Sequence, residues 1–538
     1  MRTIYRNGIV YTGELPFVEA FAVENGVFSF AGTNAEADAL AAAEDTVVDL
    51  EGSFVCASFN DSHMHLLSYG RSLSIAKLYE HTHSLAEFLD YLKEYAAQQD
   101  FTKKEWIVGR GWNHDYFQDE KRMPTRRDLD KITTEYPMCL TRACGHCLVV
   151  NSKALELLGI TGETPQPDGG TIGMENGEPN GLFFDNAMDA VYGIIPAPSR
   201  EELKDMLRKA CEACNTYGVT SCQCDDYCVY HNLDWREINA AYEELQAEGG
   251  MTMRVYEQAN FTKLEELQKF LDEGWNTGVQ KGLFTMGPLK MLGDGALGSR
   301  TALLSRPYAD DPSTQGLPVF SREYLTEMVE LAHKNGMQIA IHSIGDGSLD
   351  NILYAYENAL NKYPREDHRH GIVHCQITRP DQLDKMAELG LHIYAQSIFL
   401  DYDTHIVYQR VGEELASTSY TWKTLMKKGA WVSNGTDCPV ELPDAMRCIQ
   451  CGVTRQPIDK SEPAYLPEEA FTVQEAIDSY TWKGAHASFE ENTKGKISKG
   501  MVADFVVLGA NPFEADPYKI HEIPVLKTFL NGECVFSK

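Results

Sequence analysis

His63-Met-His65 sets two imidazoles two residues apart, just after the apolar run Phe54-Val-Cys-Ala-Ser-Phe59. In a strand such residues share one face, about 6–7 Å apart along the backbone, and can grip one divalent cation. A lone His-x-His is more often an ordinary surface pair. This one gains meaning from Lys290, His342, His374 and Asp437, each of which follows an apolar run and precedes a Gly-rich or polar loop. Imidazoles with one carboxylate suit zinc or a similar transition metal better than magnesium or calcium, which prefer oxygen. Four ring nitrogens suffice for two ions if something bridges them. A protonated lysine cannot ligate, but the carbamate it forms with CO2 is a bridging carboxylate. Taken singly, His374 reads as a satisfied core histidine, Lys290 as a snorkelling lysine and Asp437, after Gly435-Thr436, as a turn residue. Their joint order and strand-end placement point to a metal site.

Such residues need strands to hold them. From about residue 200 the chain alternates helix and strand. Capping boxes are predicted at Ser199-x-x-Glu202, Thr262-x-x-Glu265 and Thr472-x-x-Glu475. Asn335-Gly336, Leu389-Gly390 and Lys428-Gly429 close other helices. Strands are expected over 218–222, 252–256, 286–292, 338–342, 371–374, 392–396 and 430–434. With the strand carrying His63 and His65 these make eight, which reads as an α/β fold, a (β/α)8 TIM barrel with its site at the C-terminal face. The stretch of about 68–198 is too long for a loop and is expected to be an α/β insertion over the barrel mouth, after the first barrel strand. Short β runs at both ends, with Asn25-Gly26 and Asn531-Gly532 as hairpin signals, suggest one small β-sandwich-like domain from 1–55 plus 490–538, around a barrel over 56–489.

Composition narrows the class. Hydrophobic residues make up 43% of the 538, which excludes a disordered chain. The formal charge of −31 argues against nucleic acid or an anionic membrane as partner and says nothing about the substrate, which is expected to be a small molecule. No signal-like segment opens the chain and no apolar window reaches a membrane span, so a cytoplasmic location is expected. The 14 Cys, including the C-x-x-C pairs Cys144/Cys147, Cys211/Cys214 and Cys448/Cys451, then read as reduced structural thiols. The oligomeric state stays open, a homodimer included.

The order His-x-His, Lys, His, His, Asp resembles the amidohydrolase superfamily, binuclear subtype. The stretches Phe59–Leu66, Pro124–Asp130, Arg142–His146 with Asn151–Leu155, Asp294–Ala302, His342–Asp346 and Asp437–Val440 resemble its YtcJ-like branch, which includes N-substituted formamide deformylases. The resemblance spans nearly the whole chain. One departure is Cys56-Ala57-Ser58 where that family usually has Pro-Gly ahead of the His-x-His strand. Carried over, the resemblance implies that His63, His65 and Asp437 bind the buried ion, that carboxylated Lys290 bridges two divalent ions, zinc by type, and that His342 and His374 bind the second. Asp437 would be the catalytic base and then acid in hydrolysis of a C–N amide-type bond, in an N-acyl or N-formyl amine, by an activated water. Lactone or imide hydrolysis is the nearest alternative. A mononuclear deaminase would not need Lys290, and a catalytically silent binding or regulatory protein is the rival from another class.

A second tier comprises Arg142, His146, Asp294, Arg300, Asp346 and Gln396. Arg142 or His146 could reach a substrate carbonyl or carboxylate. Asp294 and Arg300 could fix the loop after the fourth strand by an ion pair. Trp112, Tyr116 and Phe117 could line an aromatic pocket, although such residues are commonly core. Cys222 and Cys224 read as barrel packing, and Asp225 could face the site.

Overall fold

The computed structural model describes residues 2–101, 105–144, 146–167, 169–230 and 232–538. Met1 of the expected terminal domain and Gly145 of the Arg142–His146 motif lie outside them.

Eight parallel strands build the barrel, and only these are numbered here: β1 (Phe59–Met64), β2 (Val219–Cys224), β3 (Arg254–Asn260), β4 (Phe284–Leu292), β5 (Ile339–Ser343), β6 (Gly371–His374), β7 (His392–Ala395) and β8 (Trp431–Asn434). Each pairs with the next in chain order. Most are buried along nearly their whole length, as strands covered on both faces must be. The seam between β8 and β1 closes just beyond the strand ends: Asp437 N–H donates to the His63 carbonyl (2.8 Å) and His65 N–H to that of Cys438 (2.7 Å).

Gly435 lets the seam close. A Cβ there would lie 2.6 Å from His63 N, 2.9 Å from His63 O and 2.7 Å from Asp61 Oδ1. Backbone cannot give way as a flexible side chain can. Gly435→Ala is therefore expected to cost about 1–3 kcal/mol of stability and to loosen metal binding, because the displaced atoms carry His63. Thermal melts with metal analysis check this, and wild-type Tm and metal content in the variant would refute it.

The run 54–59 is not one strand. Phe54–Ala57 pairs with Phe505–Leu508 in a sheet made from both ends of the chain, and Phe59 opens the barrel. Ser58 is the hand-over: its N–H donates to the Asp504 carbonyl, whereas that of Phe59 donates to Gly218. A second, four-stranded sheet comes from residues 2–49 alone. Tyr5, Phe21, Val55, Phe505 and Phe529 share one core with both sheets, and Phe505 stacks on Phe529 with centroids 4.2 Å apart. Both Asn-Gly turns adopt the paired positive φ of a tight hairpin (Asn25 52°, Gly26 80°; Asn531 51°, Gly532 76°).

The described chain forms two compact units. Residues 1–68, 207–229 and 234–538 hold the barrel and the terminal sheets; residues 69–206 and 230–233 form the other. That second unit carries its own six-stranded sheet, cored on both faces: in the strand Cys147–Val150, Cys147 and Val149 join one cluster and Leu148 and Val150 another. Trp112 and Phe117 are core there, while Tyr116 is exposed. The boxes at Ser199 and Thr472 form. That at Thr262 does not: the helix Leu264–Asp272 starts from Lys263, and its Leu264 N–H is met by the Tyr324 hydroxyl instead. No helix among the described residues is long and apolar enough to cross a membrane.

At the N-terminal ends of β5 and β6, His333, His368 and His370 form a buried neutral network. The Ile339 N–H donates to His370 Nδ1 (3.1 Å), leaving Nε2–H to donate to His333 Nδ1 (2.8 Å), and the His370 N–H donates to His368 Nδ1 (2.9 Å). Burial pushes His368 down to about 4, His370 well below its ordinary value, and His333 down as well. A depressed folded-state value means that the unfolded chain binds more protons below its own pKa of about 6.5. The network's stabilisation is therefore whole above about pH 6.5 and is lost as pH falls towards 4. Tm should drop between pH 7 and 5, and a flat profile would refute this.

Candidate metal centre

The C-terminal ends of β1, β4, β5, β6 and β8 bring the sequence-selected residues together. His63 lies in β1 and His65 directly after it, with ring centroids 5.3 Å apart. Asp437 Oδ1 is 3.3 Å from His63 Nε2 and 3.1 Å from His65 Nε2. His374, at the end of β6, has its ring 5.5 Å from that of His63 and 4.5 Å from that of His342. Lys290 Nζ is 3.3 Å from His63 Nε2. His63, Lys290 and His374 are buried, and His65 and His342 are partly open.

The second nitrogen of every ring is tied down. His63 Nδ1 donates to Gln258 Oε1 (3.0 Å), His65 Nδ1 to the Asp225 carbonyl (2.9 Å), His374 Nδ1 to Gln396 Oε1 (2.8 Å), and His342 Nε2 to the Gly295 carbonyl (3.0 Å). Each oxygen fixes one ring orientation; at His63, His374 and His342 the opposite nitrogen keeps a free lone pair, the arrangement that metal-binding histidines adopt, while His65 Nε2 faces the Asp437 carboxylate. Asp437 Oδ1, buried among these nitrogens, has no hydrogen-bond partner. Ring nitrogens of His63 and His65 and a carboxylate oxygen of Asp437 all lie within 4.8 Å of one another. A divalent cation satisfies all three; the donor set fits a metal.

The electrostatics agree. Burial, with Lys290 nearby, pushes His63 and His342 down to about 4, and burial pushes His374 well below its ordinary value, so these rings are neutral, as ligation requires. Burial also works against charge on His65 and Asp437, yet the Asp437 carboxylate, with Cys228 and Asp225, holds His65 well above its ordinary value, and His63 and His65 hold Asp437 well below, so a cation arriving here takes the place of the His65 proton. The pocket draws positive charge to the carboxylate.

Local backbone aims the ligands. His374 (φ 73°) and Asp437 (φ 58°) adopt the left-handed conformation that costs a non-glycine residue about 1–3 kcal/mol and is kept where the surroundings demand it. Asp61 spans the seam, accepting the His63 N–H (3.2 Å) and the Thr436 N–H (3.1 Å). Burial pushes its carboxyl up to about 7.

A model of the amidohydrolase family matches residues 46–536. The chain belongs to that family. It is 34% identical to YtcJ of Bacillus subtilis (strain 168), over 100% of both chains. It is 24% identical to the N-substituted formamide deformylase of Arthrobacter pascens, over 97% of this chain and 95% of that one. Among solved structures, an uncharacterized metal-dependent hydrolase from Pyrococcus furiosus superposes with a TM-score of 0.79 at 29% identity, covering 96% of this chain and 100% of that one.

Within this amidohydrolase barrel the second-tier residues divide. Gln396 is buried and holds His374, with its Nε2 unpartnered. Asp294 is not paired with Arg300, contrary to the sequence expectation. Its carboxylate accepts the N–H groups of Leu303 (2.8 Å), Ile344 (3.1 Å) and Gly345 (2.8 Å), while Arg300 pairs with Asp310 (2.9 Å). Three fixed donors outcompete one flexible guanidinium. Asp346 is fully buried and paired with Arg379 (2.7 Å). In the other unit, Arg142 pairs with Asp115 (2.6 Å) and exposed His146 with Asp185 (3.0 Å). Two residues escaped sequence reasoning. Gln258 lies past the expected end of its strand, and Asp61 lies inside the His63 motif; each sits in a polar run, Glu257-Gln258 and Asn60–His63, so spacing alone does not single it out. None of the C-x-x-C pairs belongs to a converging ligand group among the described residues.

Proposed function

We propose that this amidohydrolase-family chain is a metal-dependent hydrolase that cleaves a C–N bond of the amide type, in an N-acyl or N-formyl amine. The observation that carries this reading is the set of four tethered imidazoles, two of which, His63 and His65, face the buried Asp437 Oδ1. In it, His63, His65 and Asp437 would hold one divalent ion and His342 and His374 a second, with Lys290, as a carbamate, contributing to both. A nitrogen-rich set of this kind favours zinc. Bound there, such ions supply Lewis acidity at the scissile carbonyl and bring the pKa of a water to about 7.

The chain's own residues do the rest. Ionised Asp437 accepts the proton of the attacking water and returns it to the leaving nitrogen, so that amide and water become acid and amine. Gln258, Gln396 and the carbonyls of Asp225 and Gly295 keep the rings from turning. The relative named for N-substituted formamides and the metal-dependent hydrolase of the same fold support this choice of bond and cofactor.

Metal analysis of the purified protein, paired with a panel of N-formyl amines, N-acyl amines, lactones and imides, tests the reading. Bound divalent metal and turnover of the amides, lost on chelation and restored by zinc, are expected. Protein that binds no added zinc would overturn the metal site. Turnover confined to lactones or imides would overturn the choice of bond.

A further inference from the structure

Next to this centre lie two ligand-type side chains that the hydrolytic reading leaves unused, the Asp225 carboxylate and the Cys228 thiol. Each brings a ligand atom within 4.8 Å of the other and of a His65 ring nitrogen. Asp225 directly follows β2, and Cys228 stands three residues on. Asp225 is 1% exposed. Its Oδ2 accepts from Asn260 Nδ2 (3.0 Å) and lies 3.7 Å from Lys290 Nζ, whereas Oδ1 has no hydrogen-bond partner. A buried carboxylate oxygen left this way calls for a cation or a donor. Cys228 is exposed, and its Sγ lies 3.7 Å from the Asp225 carbonyl, the same oxygen that accepts from His65 Nδ1.

Hard carboxylate and soft thiolate together favour zinc-like ions, and the thiolate favours cadmium still more. We propose that Cys228 Sγ and the Asp225 carboxylate form a separate soft-cation site beside His65, outside the His63–His65–Asp437 position. The thiol proton leaves to solvent as the metal–sulfur bond forms. Filling the site acts on hydrolysis through His65. That ring faces Asp437 with Nε2 (3.1 Å) and is oriented by the Asp225 carbonyl at Nδ1. A cation drawing Asp225 and Cys228 together disturbs this tether, so occupancy inhibits.

Cadmium is the probe, and thiol alkylation read by peptide mass spectrometry on the full-length, zinc-loaded protein is the assay. The exposed thiols Cys144 and Cys534 are internal controls. Cadmium is expected to slow labelling of Cys228 by at least about tenfold, with little effect on the controls, and Asp225→Asn to weaken that protection by about tenfold, as loss of one ligand does. A sulfur-to-cadmium charge-transfer absorption should accompany protection and vanish in Cys228→Ser. That variant should keep its basal hydrolysis while losing inhibition by excess cadmium. Cys228 labelled equally fast with and without cadmium, or protected without the absorption, would overturn the site. Labelling of the wild-type protein needs no variant to fold and does not depend on which bond the enzyme cuts, so a failed amide assay leaves this test intact.

Discussion

Asp437→Asn is expected to lower kcat/KM for the amide substrate by about 10³-fold, within the range that a positioned acid–base group supplies. The amide is nearly isosteric, so folding should be preserved, but it cannot take a proton from water at neutral pH. It also removes the charge that holds His65 above its ordinary value and draws a cation to the seam. Metal content should therefore fall together with activity, and added zinc should restore more of the metal than of the rate. That split separates a proton-transfer role from simple ligation. Near-wild-type turnover in the variant would remove Asp437 from the chemistry altogether.

Lys290→Ala carries the second large effect. The side chain is 2% exposed and its Nζ lies between His63 Nε2 (3.3 Å) and Asp225 Oδ2 (3.7 Å). If the lysine bridges two ions as a carbamate, its removal should leave at most one ion per chain and lower kcat by about 10²-fold or more. Acetate or propionate should recover part of that loss, because a short carboxylate can enter the space the side chain leaves and bridge in its place. Neutral amides of the same size should recover nothing. A variant with two ions and full activity would end the carbamate reading while leaving the histidine and Asp437 site in place.

Much of the barrel was legible because its strands are short apolar runs bounded by helix-stopping glycines. Gly336, Gly390 and Gly429 carry φ of 83°, 65° and 92°, and the strands that follow begin at 339, 392 and 431, within one residue of where the pattern puts them. Legibility failed where a distant partner overrode a local pattern. Phe54–Phe59 reads as one run, but the first half pairs with residues near 505 and the second with β2. Thr262 and Glu265 spell a capping box, but the Tyr324 hydroxyl, some 60 residues on, takes the first free N–H. Asp294 and Arg300 look like neighbours in a loop, but the backbone of the next βα turn claims the carboxylate.

The sequence by itself determined the types and order of the candidate ligands, His63, His65, Lys290, His342, His374 and Asp437, because they stand in or just after five strands towards their C-terminal ends, and strand ends are local features. Only the tertiary structure decided which nitrogen of each ring is free. The atoms that settle it, on Gln258, Asp225, Gly295 and Gln396, sit 195, 160, 47 and 22 residues from the rings they hold. A tautomer is fixed by a hydrogen bond from another strand or loop, and no spacing within one strand encodes it.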